Sequence, residues 1–215
     1  MPEVQVYPTA EAASSHLAKL LEDRLRAGGR AVLAGGHTPL AAYRILSQAD
    51  LLWERLQLLP SDERCLPPDH PERNDRALRE ALGHHPYTLY SFPAERGPEA
   101  AAEATQALVA ELLPFDVVLL GLGEDGHTAS LFPQLPGIDS EALVVPVHQA
   151  PKPPPERVSL GRRALEATEL VIFMVTGSEK QTALRKLLAG EDIPAARIQA
   201  PQVLILTDRA ALPKE

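Results

Sequence analysis

Residues 115–133 read FDVVLLGLGEDGHTASLFP. The first six, Phe115 to Leu120, are apolar apart from Asp116. A short unbroken apolar run is what a central parallel strand needs when both of its faces are covered. It ends in Gly121-Leu122-Gly123-Glu124-Asp125-Gly126-His127, where three glycines in six residues let the chain turn sharply.

The same grammar repeats on both sides of this stretch. Before it, 4–7, 30–34, 56–59 and 89–92 read as strands. They are separated by helical stretches near 9–26, 39–47, 74–82 and 98–113. Thr9 is placed to cap the first helix, and Pro39 to be the first residue of the second. After it, 143–147, 157–160, 170–175 and 203–206 read as strands, with helices at 162–167 and 179–188. Alternating strands and helices predict an α/β fold: an open, mostly parallel Rossmann-like sheet with helices on both faces. At 215 residues the chain forms one domain, 1–215.

In such sheets the chemistry sits beyond the carboxyl ends of the strands. Four polar or Gly-rich segments fall there: 35–38, 61–64, 121–127 and 176–180. The first, Gly35-Gly36-His37-Thr38, runs from a strand into a helix, so its backbone N–H groups suit a phosphate. It would serve equally as a tight turn with a capping threonine. It has neither the Lys-Ser/Thr of a nucleotide P-loop nor the Gly-x-Gly-x-x-Gly of a dinucleotide site. The second carries Asp62, Glu63 and Arg64. A carboxylate there can act as base or orient a ligand hydroxyl, and Arg64 can hold an anion.

The third segment is the richest. Asp125 and His127 lie two apart, and histidine is the natural proton carrier near neutral pH. Asp125 can orient the imidazole or bind substrate. In the fourth, Lys180 stands at a helix start, where the dipole disfavours a cation unless an anion is bound. Arg157 follows the proline run 151–155, read as a stiff surface loop, and can hold the same anion.

Composition excludes several classes. The formal net charge of −8 gives no general attraction to nucleic acid or anionic membranes. One cysteine, Cys65, cannot form an internal disulfide, and no base motif surrounds it to make it a nucleophile. No signal-like start and no run of about 18 apolar residues is found, so the expected compartment is the cytoplasm. Ser130 lies outside a Gly-x-Ser-x-Gly elbow. His70 and His84-His85 lack metal-ligand spacing, and no metal is expected. His148 reads as a residue of the pocket wall at most.

Together these segments resemble the 6-phosphogluconolactonase family, within the larger group that includes glucosamine-6-phosphate isomerase/deaminase. The blocks occur in the family's order: Gly35-Gly36-His37-Thr38-Pro39, Asp62-Glu63-Arg64, Gly121 to Pro133, Pro154-Pro155-Glu156-Arg157 and Gly177-Ser178-Glu179-Lys180. The most specific is Asp125-Gly126-His127-Thr128-Ala129-Ser130-Leu131-Phe132-Pro133.

The resemblance implies hydrolysis of 6-phospho-D-glucono-1,5-lactone in the oxidative pentose phosphate pathway. It implies His127, Asp125 and Asp62 as catalytic candidates. Gly35, Gly36, His37, Thr38, Arg64, Arg157 and Lys180 become the substrate- and phosphate-binding set. It implies no cofactor, a sugar phosphate as the partner, and a monomer or weak homo-oligomer. The deaminase branch carries a glutamate where this chain has Phe132, which argues against ring opening. A deaminase-like enzyme and a non-catalytic sugar-phosphate sensor are the alternatives. Three departures stand out. His37 replaces a common Ser, Arg73-Asn74 a common Ser-Asn, and Ser159-Leu160-Gly161 a common Thr-Leu-Thr.

Overall fold

The computed structural model describes residues 2–213. Its strands are β1 (Glu3–Tyr7), β2 (Gly29–Leu33), β3 (Leu56–Pro60), β4 (Asp62–Arg64), β5 (Thr88–Leu89), β6 (Val117–Gly121), β7 (Val144–Val147), β8 (Arg157–Leu160), β9 (Leu170–Val175) and β10 (Gln202–Asp208). The helices are α1 (Ala10–Leu25), α2 (Leu40–Leu46), α3 (Asn74–Leu82), α4 (Pro98–Leu112), α5 (Arg162–Leu165), α6 (Gln181–Ala189) and α7 (Pro194–Arg197).

Seven strands form one sheet in the order β1-β10-β9-β6-β2-β3-β5, and every pairing in it is parallel. The apolar run quoted above is the middle strand, β6, between β9 and β2. Its side chains alternate between two cores. Val117 and Leu119 join Leu17 and Leu21 of α1, Tyr43 of α2 and Leu78 of α3. Val118 and Leu120 join Ala101 and Val109 of α4 and Leu184 of α6. Burial on both faces explains why the run shows no polar alternation.

The open parallel α/β sheet is as expected, and a second sheet accompanies it. β4, β8 and β7 pair antiparallel in that order. Val144, Val145, Val158 and Leu160 of this small sheet pack into the α4 core. The polar segment 61–64 beyond β3 contains a strand: after Ser61 the chain pairs Asp62 with Ser159 and Arg64 with Arg157. Smaller corrections are local. The strand expected at 89–92 pairs only at Thr88–Leu89, after which Phe92 turns into the core. Pro39 is the N-cap of α2 instead of its first residue. Thr9 caps α1 as expected, its Oγ1 accepting from the Ala12 N–H at 3.3 Å.

Gly161 stands where the resembling family has a hydroxyl. A Cβ there would collide with the Ala142 carbonyl, so close packing of the small sheet leaves no room for a side chain.

Candidate active site

The tips of β2, β3, β6 and β9 open onto one cleft of about 430 Å³. Its lining includes Gly35, Gly36, His37, Thr38, Asp62, Arg64, His127, Arg157 and Lys180. These are nine of the ten residues expected from the sequence. The tenth, Asp125, stands behind His127 and does not line the cleft.

The turn after β6 places the imidazole. Gly126 adopts φ of +93°, a conformation that favours glycine, and its N–H bonds back to the Gly123 carbonyl at 3.0 Å. The Gly123 N–H in turn bonds to the His127 carbonyl at 2.8 Å. The His127 ring lies where a Cβ on Gly123 would be, so no other residue fits at 123. Asp125 Oδ1 meets His127 Nδ1 at 2.5 Å and accepts from the His127 backbone N–H at 3.1 Å. Burial works to raise the Asp125 pKa. The hydrogen bonds from the His127 side chain and backbone, with the charge of His127, outweigh it and hold the carboxyl at about 2. An ionised carboxylate can only accept, so the proton of the pair sits on Nδ1. The other nitrogen, Nε2, is left as the basic one.

Phe132 is fully buried, and its ring centroid lies 4.5 Å from that of His127. The Arg157 guanidinium also sits over the Phe132 ring, 5.6 Å from its centroid. The position that carries a glutamate in the deaminase branch is therefore apolar packing against the imidazole.

Asp62 is nearly buried, and both of its oxygens are engaged. Oδ1 accepts from Ser61 Oγ at 2.9 Å and Oδ2 from Ser130 Oγ at 2.6 Å. Asn74 lines the cleft and donates from Nδ2 to the Asp62 carbonyl at 2.8 Å. Its neighbour in the sequence, Glu63, points away from the cleft. The two Glu63 oxygens accept the backbone N–H groups of Asn74 at 2.8 Å and Asp75 at 2.9 Å, capping α3. Arg64 Nη1 donates to the Glu72 carbonyl at 2.7 Å, while its buried Nε has no protein acceptor among the described residues.

Arg157, expected to hold an anion, lines the cleft and is also engaged by the protein. Only 6% exposed, it donates to the carbonyls of Lys152 (2.8 Å), Pro153 (3.2 Å) and Pro154 (3.0 Å). A fourth, longer bond reaches Ser130 Oγ at 3.4 Å. The proline run is thereby tied to the cleft wall and brings Lys152 and Pro153 into the lining. Lys152 was not anticipated. The one signal for it in the sequence is a lone cation inside a proline run beside Arg157.

Across the cleft, the N–H groups of Gly36, His37 and Thr38 have no protein acceptor among the described residues. His37 is exposed at the rim. Lys180 lines the cleft and pairs with no carboxylate among the described residues, whereas Lys152 pairs with Glu124 at 3.4 Å.

The remaining titratable candidates lie elsewhere. His85 stacks on Trp53 with centroids 4.1 Å apart and contacts the Ser47 carbonyl through Nε2 at 2.8 Å. His148 is not in the cleft wall; it bridges Glu99 and Glu156 on the surface. Burial pushes the Cys65 thiol up to about 12, which leaves it unreactive. Among the described residues no group of three or more metal-ligating side chains is found, and no helix is long and apolar enough to cross a membrane.

A family model described as glucosamine-6-phosphate isomerases/6-phosphogluconolactonase matches residues 7–206. A curated 6-phosphogluconolactonase from Streptomyces coelicolor is 39% identical over 217 residues, covering 89% of this chain and 82% of that protein. The solved 6-phosphogluconolactonase of Thermotoga maritima superposes with a TM-score of 0.90 at 25% identity, covering 97% of this chain and all of that one. A monomeric glucosamine-6-phosphate deaminase superposes with a TM-score of 0.87 at 24% identity, covering 97% and 98%. That last likeness is one of fold alone.

Proposed function

The chain belongs to the glucosamine-6-phosphate isomerase/6-phosphogluconolactonase family, and from that premise we propose how its cleft hydrolyses 6-phospho-D-glucono-1,5-lactone to 6-phospho-D-gluconate. The observation that carries the lactonase assignment within the family is the His127–Asp125 pair packed on Phe132. A phenyl ring cannot supply the carboxylate that the deaminase branch carries at this position for ring opening. A lactone carbonyl is already electrophilic and asks only for an activated water.

The free N–H groups of 36–38 hold the 6-phosphate together with Lys180 and Arg64, which sets C1 beside His127. His127 Nε2 takes a proton from water as the water oxygen attacks C1. The tetrahedral intermediate collapses, the bond from C1 to the ring oxygen breaks, and the His127 imidazolium returns the proton to that oxygen. Asp125 keeps the ring in the correct tautomer and offsets the imidazolium charge. Asp62 orients a substrate hydroxyl and stands second to His127 as a base, because both its oxygens already accept hydrogen bonds. The partner is a small sugar phosphate, met by a cytoplasmic enzyme acting as a monomer or weak homo-oligomer without a cofactor.

The test is acid release from freshly prepared 6-phosphogluconolactone, with unphosphorylated gluconolactone beside it and the uncatalysed rate subtracted. The expected result is a phosphate-dependent rate that falls about 10²–10⁴-fold in His127→Asn. A rate that survives the substitution moves the base to Asp62. A folded wild type with no rate above background, releasing ammonia from glucosamine 6-phosphate instead, overturns the assignment.

A further inference from the structure

The reaction adds a negative charge at C1. The carbonyl oxygen becomes an oxyanion, and the product ends as a carboxylate. The cations assigned so far, Lys180 and Arg64, are spent on the phosphate. Arg157 is spent on the protein, since its guanidinium donates to three loop carbonyls and Ser130. Of the lysines and arginines that line the cleft, one is left.

That cation is Lys152. Its ammonium lies 3.4 Å from Glu124, in the same turn as His127 and three residues before it. The pair is a solvated one, with side chains 49% and 55% exposed, so little holds the ammonium to Glu124. Its backbone is fixed far better than its side chain. The Lys152, Pro153 and Pro154 carbonyls are bound to buried Arg157, and the Ala150 N–H closes the loop on the Pro155 carbonyl at 2.9 Å.

Resting on the lactonase reading, we propose that Lys152 is a catalytic residue whose ammonium meets the oxyanion and then the carboxylate formed at C1, and that Arg157 is the positioning residue that presents it. As water attacks, the carbonyl π electrons move onto oxygen and the Lys152 ammonium offsets that charge without giving up its proton. On collapse the electrons return, the bond from C1 to the ring oxygen breaks, and the acid loses its proton to solvent. The ammonium then faces the carboxylate.

The experiment compares wild type, Lys152→Met, Lys152→Arg, Arg157→Lys and the double variant of Lys152→Met with Arg157→Lys. It reads kcat and KM with 6-phosphogluconolactone. Calorimetry reads the affinity for 6-phosphogluconate and for glucitol 6-phosphate, which keeps the phosphate and lacks the carboxylate. Lys152→Met should lower kcat about 10²-fold, the effect of losing one oxyanion partner, with KM within about twofold. It should weaken 6-phosphogluconate about tenfold and leave glucitol 6-phosphate unchanged. Lys152→Arg should recover part of kcat. Arg157→Lys should reproduce the selective loss and add nothing in the double variant, as for two residues acting through one contact. Equal weakening of both ligands would make Lys152 a phosphate ligand and overturn the proposal, as would an unchanged kcat in Lys152→Met. If wild type shows no lactonase activity, the lactonase reading falls by itself, and the two affinities still test the carboxylate contact.

Discussion

At Asp125, burial and hydrogen bonding pull in opposite directions, and hydrogen bonding wins. The carboxyl is held at about 2 by the His127 N–H groups and charge, below the ordinary value of about 3.9 for an unfolded chain. The linkage has a definite sign. A carboxyl whose pKa is lowered by folding contributes stability that is fully present above the unfolded value and is lost as pH falls through the folded one. The difference in unfolding free energy between wild type and Asp125→Asn should therefore be constant above about pH 5 and shrink between about pH 4 and about pH 2. Denaturant titrations at a series of pH values would measure it, and a difference independent of pH would contradict the geometry. The motif around residues 125–127 was readable because its parts are adjacent in sequence. Lys152 was not, because its place depends on a guanidinium reaching three carbonyls of the loop before it.

Among the elements, α3 shows how a buried charge serves the site. Its first turn is capped from outside by Glu63, and next to it the Arg73 guanidinium is 2% exposed. Arg73 makes a bidentate pair with Asp75 at 3.0 and 3.1 Å and lies 3.6 Å from Glu63. Burial raises the Glu63 pKa to about 7, against the pull of three backbone N–H donors. This cluster fixes Asn74, whose amide packs against Gly35 and bonds to the Asp62 carbonyl, so it joins the β4 strand to the 35–38 loop. Arg73→Met should cost about 3–5 kcal/mol, the penalty for leaving buried carboxylates unpaired. The check is the denaturation midpoint, and a change under about 1 kcal/mol would show that the cluster contributes little. In the sequence, Arg73 looked only like a departure from a common serine. Its partner Asp75 lies two residues on, but its burial also depends on Glu63 and Glu95, which are distant in sequence.

For the whole molecule, the two cores share one sheet. Val117 and Leu119 face one and Val118 and Leu120 the other, so neither core can open without disturbing β6. The cleft draws on loops from both sheets. A sugar phosphate bound there should raise the stability of the molecule as a unit, by about 2.7 kcal/mol at a concentration 100 times Kd. A single thermal transition that moves up as one with 6-phosphogluconate is the expected result. A ligand-insensitive second transition would mean that the small sheet unfolds separately.

The central strand, the alternation of elements, the parallel sheet and the four strand-end segments were all determined by the sequence itself. Each depends on hydrophobic periodicity or on glycines within a few residues, and such signals are local. The antiparallel sheet β4-β8-β7, the turning of Glu63 into α3, the engagement of Arg157 and the entry of Lys152 into the cleft were decided by tertiary structure. They rest on hydrogen bonds and ion pairs between residues distant in sequence. The partner of a buried charge is chosen by packing, which periodicity does not encode.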